Sequence, residues 1–313
     1  KKGYHVVFLP TSLTRAYFDA APKNFEPGDI FSEATMLHSL METLLNKIGR
    51  ENIVEVNYWG VSFGATLGNI VRFIDSQNSS NKIIDGDFLL IAPIMNMIFA
   101  VEKFDQWIVA FRSGIGRESL GELREKIRAY FSINNRQDPR LVKNAMSIQS
   151  EALVGATTQA NVRKMVDLFE ERHGKRFVRW ENKNSMQKKF RSSFEQRSFI
   201  RNSRRKFDRI FLPTGTRLDL LGLKESMKVF IPGLIEKMKS PLGTFAHWYD
   251  ATKALGVSDR NIKVLQSMDD PLMDPVEMQK FEKANFFHVL GSGGHIGYTS
   301  IPWYLELLNR VYQ

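Results

Sequence analysis

Gly60-Val61-Ser62-Phe63-Gly64 sets a serine between two glycines, each two positions away. Its flanks give the pattern its meaning. Residues 53–60 (IVEVNYWG) read as a strand, and residues 65–74 carry apolar side chains at helical spacing, so the serine falls on a strand-to-helix turn. A serine on such a tight, strained turn projects its hydroxyl above the sheet edge, and flanking glycines leave room for the neighbouring chain. Gly68, one helical turn on, allows the helix to lie close to the sheet. The same five residues in an isolated loop would be a chance match.

A serine hydroxyl is a poor nucleophile at neutral pH and needs a base within hydrogen-bond reach, itself oriented by a third group. Candidates for both follow in the chain. Asp269-Asp270-Pro271 comes directly after a strand pattern at residues 261–268, and His295 lies in Gly291-Ser292-Gly293-Gly294-His295-Ile296-Gly297, directly after another at residues 286–290. Groups at the carboxyl ends of neighbouring parallel strands converge on one crevice. Asp270 is the first candidate for the orienting acid, Asp269 its main rival and Asp274 a third. Each piece also has a plainer reading: Asp270 as a turn residue before Pro271, and His295 as a surface histidine in a glycine loop. His38, His173, His247 and His288 read as structural or surface residues. The chain has no cysteine, which excludes a cysteine nucleophile, a disulfide framework and a Cys-ligated zinc site.

The elements that must position these groups alternate in kind. HVVFL at residues 5–9 reads as a buried strand ended by Pro10, and residues 32–49 as an amphipathic helix stopped by Gly49. Residues 87–93 (DFLLIAP) read as another buried strand. Helical patterns such as 120–131 and 162–172 then dominate residues 95–259, the strands resume at 261–268 and 286–290, and residues 303–312 close as a helix. The fold class expected is α/β, a mainly parallel sheet flanked by helices, interrupted by a large and mostly helical insertion. The longest apolar run, residues 88–101, is broken by Pro93 and Asn96 and falls short of the roughly 20 residues that span a bilayer.

GVSFGA, DDPLMDP and GSGGHIGY, in that order, resemble the α/β-hydrolase superfamily, and within it the YheT-type branch of bacterial hydrolases and esterases. The resemblance covers residues 5–94 and 260–313. It implies residues 1–94 and 260–313 as the α/β-hydrolase core and residues 95–259 as a cap. It also implies no cofactor and no metal, and hydrolysis of an ester, thioester or amide through an acyl-enzyme. In that scheme Ser62 attacks, His295 takes and returns the proton, and Asp270 holds the imidazole. Two backbone N–H groups would meet the oxyanion, one from Phe63 and one from the loop after residues 5–9. Many relatives carry His-Gly in that loop. Here it is Leu9-Pro10-Thr11-Ser12-Leu13, and because proline has no N–H the second donor is Thr11 or Ser12, with Ser12 preferred.

The net charge of +10 is concentrated, since the stretch between Arg172 and Arg209 holds 14 Lys and Arg against 3 Asp and Glu. Phe177, Trp180, Phe190, Phe194, Phe199 and Phe207 are interleaved with the basic residues. The segment reads either as a solvated basic face whose aromatics pack on a core, or as a contact for an anionic group or an acidic membrane surface. No recognised nucleic-acid-binding motif accompanies it. The small-molecule partner expected is an acyl substrate, with Met95, Met97, Ile98 and Phe99 as an apolar acyl pocket or as ordinary core. Two other readings use the same residues differently: acyl transfer to an alcohol through the same triad, and a non-catalytic scaffold that binds an anionic partner.

Overall fold

The structure is a computed structural model and describes residues 5–9, 28–77, 82–114, 223–230, 233–291 and 294–295. In chain order its helices and strands are α1 (Ile30–Ile48), β1 (Tyr58–Val61), α2 (Phe63–Gln77), β2 (Phe88–Ile91), α3 (Met97–Gly114), α4 (Leu223–Phe230), α5 (Leu234–Lys239), α6 (Phe245–Ala254), β3 (Ile262–Ser267), α7 (Pro275–Gln279) and β4 (Phe287–Leu290). They fall into two compact units. The first takes the described residues of Lys1–Met95, Pro241–Gln266 and Pro275–Leu290; the second takes those of Asn96–Ser240, Ser267–Asp274 and Gly291–Gln313.

The first unit is built on a four-stranded, all-parallel sheet in the order β1-β2-β3-β4. Tyr58 pairs with Phe88, Val61 with Ile91, and Ile91 with Leu265. β2 reads FLLI without a polar residue, and all four side chains are buried, as an inner strand of a sheet covered on both faces requires. β1 alternates instead: Tyr58 and Gly60 are buried while Trp59 and Val61 are exposed.

Helices α1 and α6 both pack on α2. α1 begins where the Asp29 carboxylate accepts the Ser32 N–H at 3.4 Å and ends at Gly49, whose φ of 88° suits a residue without a Cβ. Its buried residues include Ala34, Leu37 and Leu45. α6 is capped by Thr244, which accepts the His247 N–H, and its Trp248 stacks on Phe31 with ring centres 5.3 Å apart. Two buried side chains of α2 clasp the same region: Asn69 donates to the Phe245 carbonyl at 2.9 Å and Arg72 to the Ser258 carbonyl at 2.8 Å. Residues 241–254, which the sequence pattern groups with the insertion, thus pack in the sheet's helical layer.

In the second unit α3 packs against α4 and α5. Asn96 accepts the Phe99 N–H at 3.3 Å and donates to Asp274 at 2.8 Å, which fixes the start of α3 to the turn after β3. Asp105 of α3 accepts the Leu223 and Lys224 N–H groups at 2.5 and 3.1 Å, capping α4 from outside.

Two expectations are corrected. Residues 5–9 form no strand, and Val6, Val7 and Phe8 are exposed. A β-branched run supplies propensity, but a strand also needs a ladder partner, and this segment pairs with none of the four strands. The strand before Ser62 starts at Tyr58 rather than residue 53, because side chains replace the ladder ahead of it: Asp85 takes the Val56 N–H at 2.8 Å, and Asn57 takes the Asp87 N–H at 2.6 Å. The helical patterns at 120–131, 162–172 and 303–312 and the basic stretch at 172–209 lie outside the described residues. Among the described residues no helix is long and apolar enough to cross a membrane.

Candidate active site

Ser62 occupies the single position between β1 and α2, with a φ of 54°. A non-glycine residue in this left-handed region costs about 1–2 kcal/mol. Its backbone is held there from both sides: its N–H donates to the Ile91 carbonyl at 2.8 Å, and its carbonyl accepts from Ala65 and Thr66 at 2.9 and 3.1 Å. The bond to Ile91 is the last rung between the neighbouring strand ends, so the sheet itself sets where the serine stands.

The surrounding residues fit this turn sterically. A Cβ on Gly60 would lie 2.6 Å from the Gly64 carbonyl carbon and 2.7 Å from the Ala65 Cα, so only glycine is accommodated. A Cβ on Gly68 would lie 2.7 Å from Leu90 and closer still to the Tyr58 ring, which is the close helix-to-sheet packing expected of it. Gly64 differs, because a Cβ there would meet nothing within 4 Å. The two glycines flanking the serine are therefore not equivalent. Tyr58 reaches from the start of β1 to donate its hydroxyl to the Gly64 carbonyl at 2.8 Å, and burial pushes its phenol pKa up, keeping it a neutral donor. Thr66 accepts the Ile94 N–H at 2.9 Å, tying the first turn of α2 to the chain beyond β2.

Phe63 is the first residue of α2, and N–H groups in a helix's first turn have no intrahelical acceptor. Such a donor is available to a developing oxyanion. Thr11 and Ser12 lie outside the described residues.

The acid and base candidates belong to the second unit, as Ser62 belongs to the first. The structure brings Asp270 and His295 together: Oδ2 of Asp270 lies 2.9 Å from Nδ1 of His295. The other carboxylate oxygen, Oδ1, accepts the Leu272 N–H at 2.8 Å. Asp270 is buried, with its side chain 1% exposed, while the imidazole is 18% exposed. A carboxylate on Nδ1 favours the tautomer that carries its proton there and leaves Nε2 unprotonated.

Asp269, the main rival, faces elsewhere. Its Oδ1 accepts the Ser267 hydroxyl at 2.5 Å and the Gly294 N–H at 2.7 Å. Asp274 accepts from Asn96.

The remaining histidines of the described residues have other settings. His38 of α1 is buried, with Nε2 3.0 Å from Asp75, which also accepts the Ile83 and Ile84 N–H groups at 2.9 and 3.3 Å. That cluster joins α1, α2 and the chain leading to β2. His247 stands edge-on to Trp248. His288 lies on β4 with its pKa pushed down by burial and by Lys263. Met95 and Met97 are buried, and Met95 gives its carbonyl to the Phe245 N–H at 2.8 Å. The His38–Asp75 pair and the Asp269–Gly294 bond carry no local sequence signal, being separated by 37 and 25 positions. Among the described residues no three His, Asp or Glu side chains are grouped to hold a metal ion.

Searches against family models, curated proteins and solved structures find no match to this chain. The class that the described residues define is an α/β architecture built on a four-stranded parallel sheet.

Proposed function

We propose that this protein is a serine acyl hydrolase of the α/β-hydrolase type, acting on a carboxylic ester, thioester or amide. The observation that carries the reading is the left-handed backbone of Ser62, with its φ of 54°, on the turn between β1 and α2. Strain at one non-glycine position persists only where surrounding structure over-determines it, and such positions cluster at functional sites. The Asp270–His295 pair, at 2.9 Å, supports the reading independently.

The reaction follows from these groups. Ser62 Oγ attacks the acyl carbon and its proton passes to Nε2 of His295, while Asp270 stabilises the imidazolium through Nδ1. The tetrahedral oxyanion accepts the N–H of Phe63 and a second donor, assigned to Ser12. Collapse expels the leaving group, which takes the proton from Nε2 and leaves an acyl-enzyme. Water, deprotonated by the same nitrogen, then releases the acid and restores the serine. The part of the insertion outside the sheet's helical layer, residues 96–240, serves as the cap that selects the acyl chain, and no cofactor takes part.

Mass spectrometry after exposure to a fluorophosphonate tests the reading. One adduct on Ser62, absent from Ser62→Ala and strongly slowed in His295→Ala, is the expected result. A folded protein whose Ser62 stays unlabelled by several such probes of different size would overturn it.

A further inference from the structure

We infer that Asp269 is a positioning residue for His295, acting through the main chain of Gly294; the inference rests on the proposed acyl-transfer role of His295. Two adjacent carboxylates leave the same turn after β3, and they do different work. Asp270 bonds the ring at Nδ1, fixing its tautomer and the direction it faces. Asp269 bonds the N–H of the residue before it, fixing where the ring's own backbone stands.

The segment needs such a peg. Gly291-Ser292-Gly293-Gly294 offers almost no side chain by which to hold a conformation, and glycine loses more freedom on ordering than any other residue. Gly294 has a φ of 59°, and a Cβ on Gly291 would meet no heavy atom within 4 Å, so neither is held in place by packing of a side chain of its own. The peg is itself fixed. Ser267 is fully buried at the end of β3, and its hydroxyl donates to the same oxygen that receives Gly294. The chain of contacts runs from Ser267 through Asp269 to Gly294 and so to His295. A hydrogen bond to a carboxylate is stronger than a neutral one, which suits a contact that places Gly294.

Because the acceptor is one oxygen atom, its placement and its charge are separable. Asp269→Asn keeps an oxygen at Oδ1 and removes the charge. Asp269→Glu keeps the charge and displaces the oxygen by one methylene. Asp269→Ala removes both.

The experiment compares fluorophosphonate labelling rates at Ser62 in wild type, these three variants, Asp270→Asn and His295→Ala, with the unfolding midpoint of each. Expected is a rate within about threefold of wild type for Asp269→Asn, and about 10- to 100-fold lower for Asp269→Glu and Asp269→Ala, the scale set by a small misplacement of a reacting group. Asp270→Asn should lose more, because the tautomer itself is lost. The downfield proton resonance of Nδ1 should persist in Asp269→Asn and broaden or vanish in Asp269→Glu. Should Asp269→Ala fail to fold, the Asn and Glu variants still decide the matter. Wild-type labelling that requires Ser62 and His295 but is unchanged in Asp269→Glu would overturn the inference. So would a loss in Asp269→Asn with retention in Asp269→Glu, which would assign Asp269 a charge effect instead. Labelling that ignores His295 altogether would overturn the acyl-transfer reading itself, whatever Asp269 does.

Discussion

Ser62 and Ala92 both take a left-handed backbone, with φ of 54° and 49°, and each directly follows one member of the paired residues Val61 and Ile91. Two neighbouring parallel strands therefore end in the same unfavourable conformation, side by side. Both turns are clamped by the next strand: the Ser62 N–H donates to Ile91 at 2.8 Å and the Ala92 N–H to Leu265 at 2.7 Å. The sheet's own hydrogen bonds hold the strain at its carboxyl edge.

A glycine at position 62 should therefore outperform an alanine. Ser62→Ala keeps the Cβ in the left-handed region, whereas Ser62→Gly relieves about 1–2 kcal/mol and gives back about 0.5–1 kcal/mol through the freer unfolded chain. The expected outcome is Ser62→Gly more stable than Ser62→Ala by about 0.5–1 kcal/mol in urea unfolding, with both inactive. Ala92→Gly, which also loses a fully buried methyl group, should come out near neutral. An alanine at 62 more stable than the glycine would mean the turn holds no strain.

The three glycines around the turn should separate just as clearly. Gly68→Ala drives a methyl against Leu90 and the Tyr58 ring, an overpacking that costs about 1–3 kcal/mol. Gly60→Ala should cost at least as much, since the obstruction is the Gly64 and Ala65 backbone, which cannot rotate away. Gly64→Ala meets nothing and gains helix propensity, so stability should hold or rise by up to about 1 kcal/mol. Thermal midpoints for the three variants check the order; a destabilised Gly64→Ala with a tolerated Gly60→Ala would contradict the packing described.

Much of this was legible from residue order, and the reasons differ by element. α1 was readable because its apolar period and Gly49 agree, and β2 because FLLI is apolar at every position. Gly60 and Gly68 were readable because strand-turn-helix geometry brings chain against chain at those two points. Residues 5–9 misled, since an apolar run states a preference and says nothing of a partner. The lead-in at residues 53–57 misled for a related reason: Asp85 and Asn57 intercept the backbone groups that a ladder would have used. Asp269 and Asp270 could not be told apart in sequence, because neighbouring side chains of one type differ only in direction. In the fold Asp270 bonds the His295 ring and Asp269 the Gly294 N–H, a difference in direction set by the turn after β3.

His288 offers a test of the sheet's electrostatics that needs no substrate. It sits half-buried on β4, and burial first, then the charge of Lys263 on β3, push its pKa below the ordinary 6.5. Lys263 is itself 3.1 Å from Asp87, so its ammonium is anchored rather than free to swing away. An imidazole that resists protonation in the folded chain but accepts a proton once unfolded makes the unfolded state the better proton binder at mildly acid pH. The contribution to stability is thus intact above about 6.5 and is lost as pH falls through the lowered folded pKa, below which it no longer changes. NMR titration of the His288 ring should give a midpoint below that of an unfolded histidine, and Lys263→Met should raise it while leaving the burial contribution in place. His288→Gln should flatten the corresponding part of the curve of urea midpoint against pH. A His288 midpoint at or above the ordinary value, or one indifferent to Lys263, would mean that this edge of the sheet is far better solvated than its packing implies.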